Sequence, residues 1–231
     1  TDSGSVFVQI GDENVHRVRA LMDEIFGEEN VCAQIGVLKT AGQSSELIAG
    51  TADYLLWFAR NRSCVKYRAP FSAKDLTTDK GGVYKWVKRR DGDVEALRGG
   101  LHAIASDAQV FCRDNLSSQK PPGSFPVQFA GKIYGSGKGF WKTGEMGMGR
   151  LKKAERVLPA TNSLRYVRFL DDFRVQAIGN VWTDTGTGSF TDQKLYVVQS
   201  ATKVMQRALL MTTDPGDLVL DPTCGSGTTA T

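Results

Sequence analysis

The run Leu218-Val-Leu-Asp-Pro-Thr-Cys-Gly-Ser-Gly-Thr-Thr229 decides how this 231-residue chain is read. Three apolar residues ending in Asp221 have the character of a strand buried on both faces. Gly225-Ser226-Gly227 should then form a turn that lets the backbone approach a ligand and that opens a helix. Free N–H groups at a helix start attract an anionic group. Asp221 falls at the carboxyl end of the strand, where doubly wound sheets bind ligands. No lysine follows the second glycine, which excludes a phosphate-binding P-loop. Three readings remain open at this point. Gly225-x-Gly227-x-x-Ala230 satisfies the loose dinucleotide fingerprint, a glycine turn beside a carboxylate suits S-adenosylmethionine, and a plain tight turn needs no ligand.

Working outward, Thr202–Met211 carries Met205, Ala208 and Leu209 at helical spacing, and Leu195–Gln199 reads as a strand. Thr212–Asp217 is a turn. At the other end, Ser5–Ile10 is a β-rich run followed by Gly11 and Asp12, the latter a good helix N-cap. Val15, Val18, Met22 and Ile25 recur at helical spacing, with Leu21 and Phe26 widening the stripe and Gly27 as a stop. This is the first half of a βαβ unit. Asn30–Leu38 and Asp53–Ala59 predict two further strands, with a small polar loop at Thr40–Ser45 between them. From Lys74 to Thr161 the pattern is irregular, with short helices expected within Lys85–Arg90 and Asp93–Leu101. A long irregular stretch of this kind points to a recognition region.

Charge follows the same division. The net of +4 conceals −6 over residues 1–59, +6 over 60–100, +7 over 131–168 and −3 over 169–231. A basic middle between acidic flanks points to a polyanionic partner. The candidate contacts are Lys85, Lys88, Arg89, Arg90, Lys138, Trp141, Lys142, Arg150, Lys152 and Lys153, with Trp86 as a further aromatic. Cys32, Cys64, Cys112 and Cys224 form no C-x-x-C pair and His16 and His102 are isolated, so no metal site is expected. A cytoplasmic location with reduced thiols fits this usage. No apolar run approaches the roughly 20 residues that span a bilayer, so no membrane association is expected.

The string Thr212–Thr229 resembles the cofactor motif of amino-group DNA methyltransferases, Asp-Pro-Phe-x-Gly-Ser-Gly-Thr-Thr, with Thr223 in place of the usual Phe. Tyr196-Val-Val-Gln-Ser-Ala201 resembles the family's second cofactor motif, Tyr-Pro-Thr-Gln-Lys-Pro, matching at Gln199 and departing at Ser200 and Ala201. Asp2–Asn30 is similar to the strand and helix after the catalytic motif in type III modification subunits, and Asp53–Asn61 to a further strand of that half.

The resemblance implies an α/β fold: part of a Rossmann-like, S-adenosylmethionine-dependent methyltransferase sheet with an irregular inserted recognition region. It implies three parts, with catalytic-half elements in 1–70, target recognition in 71–168 and the cofactor half in 169–231. It also implies S-adenosylmethionine as cofactor, held by Gln199, Asp221, Pro222, Cys224, Gly225, Ser226, Gly227, Thr228 and Thr229. Double-stranded DNA is the implied substrate, adenine the favoured base over cytosine, and a restriction subunit and a second copy of the chain are candidate partners. The family's catalytic Asp-Pro-Pro-Tyr tetrad does not occur in these residues, and the chain opens on Thr1. A piece of a longer enzyme, inactive alone and with no catalytic residue of its own, is therefore expected. The alternatives are a dinucleotide-dependent oxidoreductase and a non-catalytic DNA-binding remnant.

Overall fold

A computed structural model describes residues 1–39, 46–74, 83–97, 108–186, 201–225 and 227–230. The chain begins with β1 (Ser5–Gly11), α1 (Val15–Phe26), β2 (Val31–Leu38) and β3 (Ala52–Ala59). Asp12 does not cap α1, contrary to what the sequence predicts. Gly11–Asn14 first closes a turn, Asn14 N–H donating to the Gly11 carbonyl at 3.2 Å, so Asn14 takes the cap position. Gly27 ends the helix as expected, at φ 86°, its N–H donating to the Asp23 carbonyl at 2.9 Å. The buried stripe is narrower than expected, because Leu21 and Ile25 are exposed.

Residues 73–176 form a separate compact unit, and residues 1–72 rejoin 177–231 to form the other. The chain crosses between them on β4 (Phe71–Ala73) and returns on β14 (Val175–Ala177). Between these lie β5 (Trp86–Lys88), β6 (Val94–Ala96), β7 (Gln109–Asn115), β8 (Ser117–Ser118), β9 (Val127–Phe129) and β10 (Lys132–Tyr134). β11 (Phe140–Trp141), α2 (Glu145–Lys153), β12 (Val157–Pro159) and β13 (Leu164–Phe169) complete it. The second boundary falls at 176, not after Arg168. β13 runs on through Phe169, and Asp172 is tied back by Arg156.

The stretch read as irregular is in fact a five-stranded antiparallel sheet, ordered β12-β13-β7-β5-β6. The two helices expected within 85–90 and 93–101 are instead the hairpin β5–β6 over its described residues. Side chains alternate across a strand. Leu164, Tyr166 and Val157 therefore face Met148 and Leu151 of α2, in a core that includes Leu116, Val127, Tyr134 and Trp141. Phe111, Val167 and Phe169 point the other way, against Trp86, Val94 and Leu158.

The remaining elements are β15 (Val181–Trp182) and α3 (Thr202–Thr212). The first unit is a sheet ordered β1-β3-β2-β15. β1 and β2 both run antiparallel to β3, so they are parallel to each other with β3 inserted between them. β15 extends the sheet parallel to β2. The expected crossover is present, but its two strands are not neighbours.

β3 explains why this unit holds together. Leu55 and Trp57 point to the face where Ile35, Val37, Trp182 and α3 residues Val204 and Met211 pack. Leu56 and Phe58 point to the opposite face, against Met22, Val18 and Val15 of α1. A central strand covered by a helix on each face is apolar at consecutive positions. Leu55, Leu56 and Phe58 are essentially solvent-free, and burying each contributes about 1.5–3 kcal/mol.

Candidate functional site

The glycine-rich turn is organised by Asp221. Its Oδ1 accepts from the Thr223 N–H at 3.1 Å and the Thr223 hydroxyl at 3.4 Å. Its Oδ2 accepts from the Thr229 hydroxyl at 2.6 Å. The Thr229 bond first, and then the Thr223 N–H, hold the carboxyl below the usual aspartate range. Gly225 at φ 50° and Gly227 at φ 77° take the left-handed backbone that a β-carbon disfavours. Gly227 N–H donates to the Cys224 carbonyl at 2.7 Å. The structure thus brings Asp221, Pro222, Thr223, Cys224, Gly225, Gly227, Thr228 and Thr229 into one loop. Ser226, Gln199, the strand expected at Leu195–Gln199 and the loop at Thr40–Ser45 lie outside the described residues.

One expectation about this loop is corrected. Leu218–Asp221 is not a buried strand: it pairs with no strand among the described residues, and Leu218 and Leu220 are 95% and 83% exposed. The last described residues after the glycines, Thr228–Ala230, form a 3-10 turn packed against α3. The loop's approach is held more firmly than its apolar run. Lys66 Nζ lies 2.8 Å from Asp214 and 2.6 Å from Asp217, and Arg68 pairs with Asp214 and donates to the Thr213 carbonyl at 2.8 Å.

The sequence matches the DNA methylase family over residues 1–231. The chain belongs to that family. Among curated proteins, the type II methyltransferase M.EcaI of Enterobacter cloacae is 26% identical over 241 aligned residues. The alignment covers 99% of this chain and 47% of that protein, so the chain spans about half the length of the curated relative it matches. That relative is a type II enzyme, and the likeness to type III modification subunits is narrowed to the family.

In this methylase chain the basic candidates fall in the unit of residues 73–176. Lys85, Arg90, Lys138, Lys142, Arg150, Lys152 and Lys153 are exposed there. Lys88 is tied to Glu155 at 2.5 Å and Arg89 to Glu95 at 2.6 Å. Trp141 is not a DNA contact. It is 1% exposed, and its indole N–H donates to the Phe125 carbonyl at 2.8 Å, which makes it a core residue.

Three features of the methylase chain were not read from the sequence. Asp184 accepts two bonds from Arg207, at 2.7 and 2.5 Å, and one from Lys203 at 3.4 Å. The Arg207 bonds in the first place hold its carboxyl down at about 2. At the carboxyl ends of β1 and β2, Lys39 pairs with Asp53 at 2.8 Å and Gln9 donates to Asp53 at 3.2 Å. Finally, a cavity of about 400 Å³ is lined by Trp57, Tyr67, Trp182, Asn180, Arg62 and Cys32, with none of the expected site residues in it. Spacing offered no signal for these, since the bonded partners are 14 to 44 residues apart along the chain. Among the described residues no cluster of metal-ligating side chains occurs, and no helix is long and apolar enough to cross a membrane.

Proposed function

We propose that this chain carries the cofactor turn and the DNA-contacting unit of an S-adenosylmethionine-dependent, amino-group DNA methyltransferase with adenine as its base. The observation that carries this reading is the Asp221 carboxylate closing the glycine-rich turn on Thr223 and Thr229. The residues fit such a cofactor. Asp221 stays ionised and uses only part of its acceptor capacity within the loop, since a carboxylate offers about four acceptor sites. Among the described residues nothing lies within 4 Å of where a β-carbon on Gly227 would sit, which leaves room for a ligand against the backbone there. Pro222, Cys224, Gly225, Ser226, Gly227, Thr228 and Thr229 would line the cofactor, and Gln199 would reach it from the preceding segment.

S-adenosylmethionine supplies an electrophilic methyl group. Asp221 would orient the bound cofactor by accepting from its amine or hydroxyls. The sheet of residues 1–72 and 177–231 is read as part of a Rossmann-like methyltransferase sheet. The target base must leave the duplex for the chemistry, and the tetrad that receives it in this family is not among these 231 residues. No residue here is assigned its work, and the chain alone is expected not to methylate. Double-stranded DNA is the macromolecular substrate, the setting is the cytoplasm, and a restriction subunit or a second copy of the chain are its further candidate partners.

Isothermal titration of S-adenosylmethionine and NAD tests the cofactor. Binding of the former, weakened by Asp221→Ala, is expected. Binding of NAD alone would replace this reading with an oxidoreductase.

A further inference from the structure

The five-stranded sheet of residues 73–176 has two unlike faces. α2 covers one. Over the other, no helix of the unit lies among the described residues, and arginines take the covering role. The Arg113 guanidinium sits 3.4 Å above the centre of the Trp86 ring, and that of Arg156 lies 4.4 Å above Phe169. Planar guanidinium on an aromatic face is a favourable contact that leaves the fork of N–H donors at the rim.

Strand register adds a third arginine. Arg113 stands opposite Val167 and Arg165 opposite Asn115, so the two arginines are diagonal neighbours on one face of β7 and β13. Such neighbours are roughly 7–8 Å apart. Lys88, two residues along β5 from Trp86, shares the face. Arg156 is matched by Asp172 at 2.6 Å and Lys88 by Glu155 at 2.5 Å. Arg113 and Arg165 form no ion pair among the described residues. Like charges close together on a sheet repel, and among the described residues no carboxylate pairs with either arginine. A phosphate would, because the guanidinium fork matches it in a bidentate way.

The cations of α2 have a different explanation. Arg150, Lys152 and Lys153 occupy the last helical turn, where positive charge offsets the helix dipole. Lys152 also donates to the Gln128 carbonyl at 3.0 Å. Because α2 packs on the opposite face of the sheet, a duplex resting on one face does not reach the other.

We propose that the face of this sheet opposite α2, with Arg113 beside Trp86 and Arg165 beside Arg113, is the surface that holds the phosphate backbone of duplex DNA. This rests on the reading of the chain as part of a DNA methyltransferase. The test is a salt titration of the 231-residue chain with a labelled duplex of about two helical turns. Arg113→Ala and Arg165→Ala are each expected to weaken binding roughly ten-fold near 0.1 M salt, and to make the slope of log K against log salt shallower by about 0.9. Arg113→Lys, which keeps the charge, is expected to restore most of the slope. The triple variant of Arg150, Lys152 and Lys153 to Ala is expected to bind within about two-fold of the parent. Melting curves confirm that each variant is folded. Loss of affinity on α2 with none on the sheet face overturns the proposal, and so does unchanged affinity in both sets. If the parent chain shows no salt-dependent binding to duplex DNA, the DNA-contacting reading of this unit fails with it.

Discussion

The Thr229 hydroxyl donates to the Asp221 carboxylate at 2.6 Å, closing an eight-residue separation across the glycine-rich turn. This bond is the largest cause of the lowered Asp221 pKa. Thr229→Val is therefore expected to move that pKa up toward the ordinary value near ~3.9, as read by carboxyl chemical shifts during a pH titration. Any stability that Asp221 lends the loop is present above its unfolded value and is lost as pH falls through the lower folded value. An unchanged titration in Thr229→Val would show that the bond does not form.

How much of this was legible depends on segment length. α1 and β1–β3 run for seven to twelve residues, long enough for a helical or alternating period to show. Among the described residues the strands of the second unit are as short as two residues, and only β7 and β13 exceed three. A period cannot declare itself in so few positions. α2 was hidden differently, since Gly147 and Gly149 each cost about 1 kcal/mol of helix propensity. The turn at Asp221–Thr229 was legible from its glycines alone. Its preceding run is exposed in this chain, because burial of Leu218 and Leu220 requires a covering partner, which local sequence does not report.

Trp141 distinguishes a core role from a DNA-facing one. Truncation to Ala should cost about 3–5 kcal/mol, as for large aromatic residues in a packed interior. Trp141→Phe keeps most of the ring but leaves the Phe125 carbonyl without its donor, a loss of about 1–2 kcal/mol. Denaturant midpoints measure both. The salt slope of DNA binding should be unchanged in the folded Trp141→Phe variant.

Asp184 links the segment after β15 to α3 through Arg207 and Lys203. Its folded pKa is depressed to about 2, so its stabilising effect is complete above the unfolded value near ~3.9. It is then lost between roughly pH 4 and pH 2. The carboxylate is half exposed, and screening by solvent limits the loss in Asp184→Asn to about 1 kcal/mol at neutral pH. The difference from the parent should shrink as acid unfolding is followed below pH 4. A constant difference across that range would assign the effect to packing.

Lys39 and Asp53 give the opposite sign. The Asp53 hydrogen bond raises the Lys39 pKa above its ordinary value, outweighing the opposing effect of burial. A lysine raised on folding contributes stability that is fully present below its unfolded value near ~10.4 and disappears as pH rises through the folded one. Asp53→Asn removes the carboxylate while keeping the shape and an acceptor for Gln9 at 3.2 Å. Its destabilisation should therefore be constant from pH 7 to 9 and diminish above pH 10. Because Lys39 is half exposed and Asp53 is largely covered, about 1 kcal/mol is expected, along with loosening at the carboxyl ends of β1 and β2. Amide exchange at Ile10, Gly11 and Leu38 measures that loosening, and exchange unchanged from the parent would show that the ion pair does not anchor these strand ends.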